Sequence, residues 1–339
     1  QPKFFVFENV RGFANTACID TDGNVKTIFE AIRFNLSKFY HIELQQLNLK
    51  NYGSNSSRTR TIVIGVRRNL KDICPLMLFP TLSKEKTLKE VVGHLMPLKN
   101  MGEFDEKDFL HSFRKYDERM FEWIKATPYG KSAFDNEDDR LKPHKIVDGK
   151  IVINKSKNGD KYQRQLWENV ASCVHTRNDC LASQDTIHPV DNRVFSIREL
   201  MLMMSIPEEF NWFDDIQHSI AQNGSYEQKD KLRSSTEKNI RECIGEAVPK
   251  AVMASIAQKI KQYLQYEPLK NDQIIALISE HKLQNIDNIL KFIEESSLPI
   301  ADLYKVCEMA NISREENAAY HTPIHIAYSS IEHLPNETE

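Results

Sequence analysis

Over the first seventy residues the apolar positions follow two periods, and together these predict an α/β arrangement. Phe4-Phe5-Val6-Phe7 runs without alternation into Glu8-Asn9-Val10. Such a run predicts a central parallel strand, buried on both faces and opening at the carboxyl edge of a sheet. A loop with Gly12 and Asp22-Gly23 follows. Ile28, Phe29, Ile32, Leu36 and Phe39 then recur at helical spacing within residues 26–39 and predict a helix covering one face of the sheet. Tyr40–Leu47 reads as the next strand. The turn-rich stretch Asn51–Ser57 delivers Arg58-Thr59-Arg60 into a second β-branched strand, Thr61–Val66, which leaves through Arg67-Arg68.

From about residue 69 to 187 the rhythm changes to helical fragments, such as 108–125, mixed with short strands and turns. Asp148-Gly149 between Lys145-Ile146-Val147 and Lys150-Ile151-Val152-Ile153 predicts a tight hairpin. Lys155, Lys157, Lys161 and Arg164 then interleave with Tyr162 and Trp167, a mixture that suits either a nucleic-acid groove or a solvated loop face. Asp148-x-Lys150 also matches half of a nuclease carboxylate–lysine signature, but the hairpin accounts for it better. Ser196 with Glu199 three residues on predicts a capping box at the start of a helix through Ile206, stopped by Pro207. Arg193, Arg198 and Glu199 read as a structural ion network around it. Asn211–Glu237 is polar and predicts a loop; Cys243–Pro249 then opens a long helix through Leu264. Pro268 marks a boundary before an acidic helical tail, 271–295 and 300–311, that leads to Tyr320-His321-Thr322-Pro323.

A length of 339 residues allows about two domains at ~150 residues each. Net charge is −3, so a nucleic-acid partner would be held by a local basic surface rather than by overall charge. The six cysteines form no Cys-x-x-Cys pair, which argues against a disulfide framework or a zinc site, with no metal expected, and for a reducing, cytoplasmic location. No apolar run has the length of a membrane span.

Two features carry candidate chemistry. Glu8, at the tip of the first strand, would sit partly desolvated at the sheet rim; the ordinary use of such a carboxylate is to cap a loop. Arg58 and Arg60, two apart at the start of a strand, share one face and form a fork for phosphate, carboxylate or a base carbonyl, or else a solvated basic strand end.

In this order the segments resemble the C-terminal half of a DNA cytosine-5 methyltransferase. Glu8-Asn9-Val10 looks like that family's Glu-Asn-Val motif, and Tyr52-Gly53 through Arg58-x-Arg60 like its Gln-x-Arg-x-Arg motif. Residues 193–207 look like the helix after the target-recognition domain, and Ile244–Pro249 like the closing Gly-Asn-Ala-Val-Pro segment. The resemblance implies methyl transfer from S-adenosylmethionine to a flipped cytosine in double-stranded DNA, within a restriction–modification system. It implies a catalytic role for Glu8 at N3 and the exocyclic amine, and for Arg60 with Arg58 at the O2 side. Glu246 and Ala247 are implied at the cofactor, and Asn9, Arg67, Arg68, Lys155, Lys157, Lys161 and Arg164 on DNA. A sequence-specificity subunit that reads DNA without chemistry is the alternative.

The fold implied is a partial Rossmann-like S-adenosylmethionine-dependent methyltransferase sheet (1–68), a smaller mixed α+β target-recognition domain (69–187), a return segment (188–265) and a helical extension (266–339). Departures stand beside the match: Ser56 replaces the usual Gln, Glu246 the usual Asn, and Leu202 a common Arg. The chain has no Pro-Cys and no Gly-x-Gly. The expectation is therefore that the nucleophile loop and the cofactor turn lie upstream of Glu8, in a missing N-terminal half or a partner subunit, and that this chain is inactive alone. The Tyr320–Pro323 tail looks like the lead-in of an adenine-type DNA methyltransferase.

Overall fold

The computed structural model describes residues 1–70, 73–155, 160–267, 269–296, 298 and 300–310. Lys157 and the Tyr320–Pro323 segment lie outside the described residues. The chain divides into two compact units, 1–69 with 74–260, and 70–73 with 261 onward.

The first unit opens with β1 (Phe4–Val10), a small ribbon of β2 (Ala17–Ile19) and β3 (Val25–Thr27), and α1 (Ile28–Leu36). Thr27 caps α1 reciprocally with Glu30. β4 (Tyr40–Asn48) and β5 (Thr59–Arg67) complete a three-stranded sheet of order β1-β5-β4. Here the sequence reading of a central parallel strand is corrected. β1 pairs antiparallel with β5 and is an edge of this sheet, with Phe7 39% and Val10 54% exposed. The strand buried from both sides is β5, whose Ile62, Val63, Ile64 and Val66 are inaccessible to solvent. An unbroken apolar run marks a strand with much surface to cover, but not which neighbour covers it.

Gly65 explains part of the aromatic run. A Cβ there would lie 2.0 Å from the Phe5 ring, which stacks on Phe7 of its own strand at 4.8 Å and reaches across β5 to Tyr40 at 5.1 Å between ring centroids. Gly65→Ala is expected to swing Phe5 off this stack and cost stability at the lower end of about 1–3 kcal/mol. The urea unfolding midpoint checks this.

The unit continues through α2 (Leu88–Val92), α3 (Glu118–Lys125), the hairpin β6 (His144–Val147) and β7 (Lys150–Ile153), α4 (Ile197–Met203), α5 (Asp215–Asn223), α6 (Tyr226–Glu246) and, as far as Ile260, α7 (Lys250–Gln265). The Asp148-Gly149 turn takes positive φ at both residues, 49° and 75°, as a type I′ turn requires. Helix α3 begins only at Glu118, with Asp117 accepting from the N–H groups of Arg119 and Met120, so 108–117 is irregular and not helical.

The loop expected over 211–237 is also corrected to two helices. Asp214 with Gln217 and Ser225 with Gln228 form capping boxes, and the buried stripe of α6 runs Leu232, Arg233, Glu237, Ile240, Arg241, Ile244. Half of that stripe is charged, so a hydrophobic period misses it. Arg241 is held by Glu237 at 2.8 Å and by the Phe195 carbonyl at 2.9 Å. The helix expected from Cys243 instead breaks at Ala247-Val248-Pro249, and α7 starts at Lys250.

The main core gathers α2, α4 and α6 with Ala171 and Val174; a smaller one gathers Trp123, Ile124, Ala133, Tyr162, Leu181, Ile187 and Val194. In the second unit α8 (Asn271–Glu280), α9 (Ile286–Glu295) and α10 (Ile300–Met309) close over Ile274, Leu283, Ile289, Phe292, Leu303 and Val306. Among the described residues no helix is long and apolar enough to cross a membrane, and no His/Cys/Asp/Glu group is placed to hold a metal ion. The six cysteines are free thiols.

Candidate functional site

Antiparallel pairing sets the end of β1 beside the beginning of β5, with Val10 opposite Arg60 and Glu8 opposite Ile62. Glu8 and Arg60 therefore meet, Arg60 Nε lying 2.9 Å from Glu8 Oε1, with both side chains mostly buried. The approach is a close ion pair without hydrogen-bond alignment, since Glu8 Oε1 is buried and accepts no hydrogen bond. Oε1 is thus paired in charge but left without an aligned donor, uncommon for a buried polar atom.

These side chains line a cleft of about 400 Å3 together with Asn9, Arg58, Cys173, His175, Thr176, Gly245 and Glu246. Arg58 and Arg60 face the same cleft but differ in use. Arg58 is 5% exposed and donates from Nη1 to the carbonyls of Val174 at 2.8 Å and Gly245 at 2.9 Å. It clamps the start of β5 to the 171–176 segment and the end of α6. Burial, and then the neighbouring Arg60 charge, push the Arg58 guanidinium below its ordinary value. Arg60 keeps more freedom, donating from Nη1 only to its neighbour's carbonyl on Thr59.

Gly245 fits because a Cβ there would lie 2.5 Å from the backbone of His175 and Thr176. Glu246 is exposed at the rim, whereas Ala247 packs against the main core. Cys173 also lines a second cleft, about 600 Å3, with Lys50, Lys86, Asn169 and Asp185. Sequence reasoning missed Cys173, His175 and Thr176; contacts across more than a hundred positions bring them in, Arg58 to the Val174 carbonyl and the Ser57 N–H to the Ala171 carbonyl. The departures fall nearby: Ser56 is fully buried with Oγ against Met204 Sδ, and the Leu202 carbonyl accepts from Asn55.

The other candidates are dispersed. Asn9 is at the cleft, with its side chain accepting from the Val10 N–H. Arg67 and Arg68 close the opposite end of β5, donating to the carbonyls of Gln1 and Ser37, ~23 Å along the strand from Arg60 at ~3.3 Å per residue. Lys155 is exposed, and Lys161 is half-buried, bridging to Gln184. Arg164 is 4% exposed and donates to the carbonyls of Thr127, His188, Asp191 and Ile124 and to Asn192. It is an internal clamp with no charge presented at the surface.

In the interior, Arg193 and Glu199, each 1% exposed, pair through two bonds of 2.6 and 2.9 Å. Asp191 holds Arg193 from the other side at 2.8 Å, while Arg198 pairs separately with Asp108. Burial alone would raise the Glu199 carboxyl, but the Arg193 guanidinium holds it well below the usual range. His188 sits against this pair, its Nδ1 accepting from the Asp191 N–H at 2.9 Å. Burial, only partly offset by Glu199, lowers its pKa from 6.5 to about 4. The folded state therefore keeps His188 neutral where the unfolded chain protonates it. Its contribution is complete above pH 6.5 and falls away as pH drops to about 4, on the order of 3 kcal/mol in all. Urea titrations across that window should show this slope, and His188→Asn should flatten it.

The family model described as C-5 cytosine-specific DNA methylase matches residues 1–262. The type II methyltransferase M1.HgaI of Avibacterium volantium is 25% identical over 276 residues, 77% of this chain and 66% of the relative. The type II methylase M.HgiDII of Herpetosiphon aurantiacus is 24% identical over 229 residues, 67% of this chain and 57% of the relative. The chain thus spans less than two thirds of the length of either. Among solved structures, the Entamoeba histolytica methyltransferase EhMeth is similar at 14% identity and a TM-score of 0.44, over 78% of this chain and 64% of that one.

Proposed function

The chain belongs to the C-5 cytosine-specific DNA methylase family, and from that premise we propose that it forms the part of a restriction–modification cytosine-5 methyltransferase that holds the target cytosine. The observation that carries this is the largely buried Glu8 carboxylate, ion-paired with Arg60 but with no aligned hydrogen bond to Oε1, in one cleft with Arg58. A neutral pyrimidine resists addition at C6, so charge must be neutralised at N3 as the thiolate adds. Glu8, carrying a proton taken from solvent, hands it to N3 as the thiolate adds, and the carboxylate left behind accepts from N3–H and N4–H2 with the Arg60 cation beside it to balance its charge. Arg60 donates toward O2, and Arg58 fixes the cleft wall. Asn9, Lys155 and Lys161 are the DNA contacts this chain offers.

S-adenosylmethionine is the family's methyl donor. The cleft residues fit it only at one edge, where the exposed Glu246 carboxylate suits hydroxyl groups and Ala247 backs it. The cleft's glycine, Gly245, has its carbonyl on Arg58 and a backbone against its Cα, so it forms no phosphate or nucleoside cradle, and no methyl-transfer step is assigned to these residues. The nucleophile and the donor cradle belong, in this reading, to parts of the enzyme that this chain does not span.

The test is bisulfite sequencing of host DNA from cells expressing the gene that carries this chain. Protected cytosines within one fixed sequence are expected; complete conversion everywhere overturns the reading.

A further inference from the structure

A third cleft, of about 400 Å3, is formed by residues 106–110, by 208–213 and by one side of α5, and it shares no lining residue with the cleft of Glu8. Its apolar lining is aromatic. Phe109 and Phe213 meet edge to face at 5.7 Å between ring centroids, and Phe210 lies against Trp212 at 4.6 Å. Three of these rings are half-buried, but Phe210 is 49% exposed. The charges that line the cleft are mostly negative. Glu106, Glu208 and Glu209 are exposed and make no ion pair among the described residues, and neither does Lys107. Arg198 and Asp108 neutralise each other. Arg198 also donates to the Glu208 carbonyl at 3.1 Å, and the Phe210 N–H to the Pro207 carbonyl at 3.1 Å. The turn that carries Phe210 and two of the carboxylates is thus held in place before anything binds, which lowers the cost of binding.

We propose that this cleft docks an arginine-bearing segment of a partner protein, with the guanidinium on the faces of Phe210 and Trp212, its edge toward Glu208 and Glu209, and apolar neighbours of the arginine over Phe109 and Phe213. Three unpaired carboxylates against one unpaired ammonium repel phosphate, so duplex DNA does not suit this surface. The same charges beside aromatic faces attract an organic cation. A guanidinium suits them better than an ammonium, because it stacks flat on a ring while its edge donors stay free for a carboxylate. The partly exposed rings give a segment of chain apolar surface to cover, which a bare polyamine would leave in water. A second copy of this chain laid face to face would set carboxylate against carboxylate. The inference goes beyond the DNA reading and does not depend on it.

The test selects a displayed library of random seven-residue peptides on the full chain, then titrates the best peptide, its counterpart with citrulline for arginine, and spermidine. Two variants are carried through, Phe210→Ala and the pair Glu208→Gln with Glu209→Gln, with thermal melts in parallel. Selected peptides are expected to carry arginine beside apolar residues, and the neutral citrulline peptide to lose most of the affinity. Phe210→Ala should weaken binding by about 2- to 30-fold. The glutamine pair should weaken it by up to about ten-fold, with the loss shrinking as salt rises. Selection of no peptide, selection without arginine, or binding indifferent to both variants overturns the inference. Spermidine binding that depends on Phe210 while no peptide is selected gives the cleft to a small polyamine and equally overturns it. Should Phe210→Ala unfold the chain, the glutamine pair decides alone, since both glutamates are exposed. Gel-shift binding to DNA is expected to be the same in wild type and both variants, so failure here leaves the function proposed above standing, and failure there leaves this inference standing.

Discussion

Glu8→Gln, introduced into the enzyme that carries this chain, is expected to lower cytosine methylation by roughly 10²–10⁴-fold, the range of a positioned proton-transfer group. Glutamine keeps the length of the side chain and an oxygen to accept from the exocyclic amine. It cannot hand a proton to N3, and it leaves Arg60 without the ion pair seen at 2.9 Å. Loss of that ion pair should cost some stability but leave the chain folded, because both side chains still reach solvent at the cleft, and a thermal melt separates that cost from the loss of activity. DNA binding measured by gel shift should therefore survive while bisulfite sequencing records the loss. Normal methylation by the variant would remove Glu8 from the reaction and leave the cleft without its central group.

The largest effect on stability is expected at Glu199. Glu199→Gln leaves the Arg193 guanidinium 1% exposed with only Asp191 to balance it, and breaking one side of a buried pair costs about 3–5 kcal/mol. Urea unfolding measures this, with the surviving Asp191 bridge placing the result at the lower end. Replacing both partners with apolar residues of similar volume, Arg193→Met with Glu199→Leu, should recover much of the loss. An equal loss in single and double variants would show that capping by Glu199 of the Ser196 N–H, at 2.6 Å, matters more than the ion pair. The pH dependence has a fixed sign. With its carboxyl depressed by Arg193, Glu199 stabilises the fold above the ordinary carboxylate range and loses that contribution as pH falls below it.

Much of the local structure is readable from residue order. The helix after Thr27, the two strands flanking the Asn51–Ser57 loop, the type I′ hairpin at Asp148-Gly149 and the capping box at Ser196 all rest on neighbours within a few positions, and such signals are local by nature. The same rules hold at Ser225 and Gln228, yet hydrophobic periodicity misses helix α6 because its buried face is written with Arg233, Glu237 and Arg241. The two arginines stay internal because Phe113, Phe195 and Asn178, distant in sequence, supply acceptors for them, and Glu237 because it accepts from Arg241. Arg164 misleads in the same way: basic residues among aromatics suit DNA and interior clamps alike, and five acceptors decide between them.

What the order of residues determined by itself was the family resemblance, the element types around the motifs, and the presence of an acid at one strand tip and two guanidiniums at another strand's start. Their meeting was decided only in three dimensions. Between parallel neighbours the end of one strand and the start of the next lie at opposite edges of a sheet, and Glu8 would never reach Arg60. β1 and β5 run antiparallel, and that single reversal brings the carboxylate and the guanidinium to the same edge. The cleft's far wall, residues 173–176, depends likewise on Arg58 binding two carbonyls from segments more than a hundred residues away, a long-range hydrogen-bond pattern that no local period encodes.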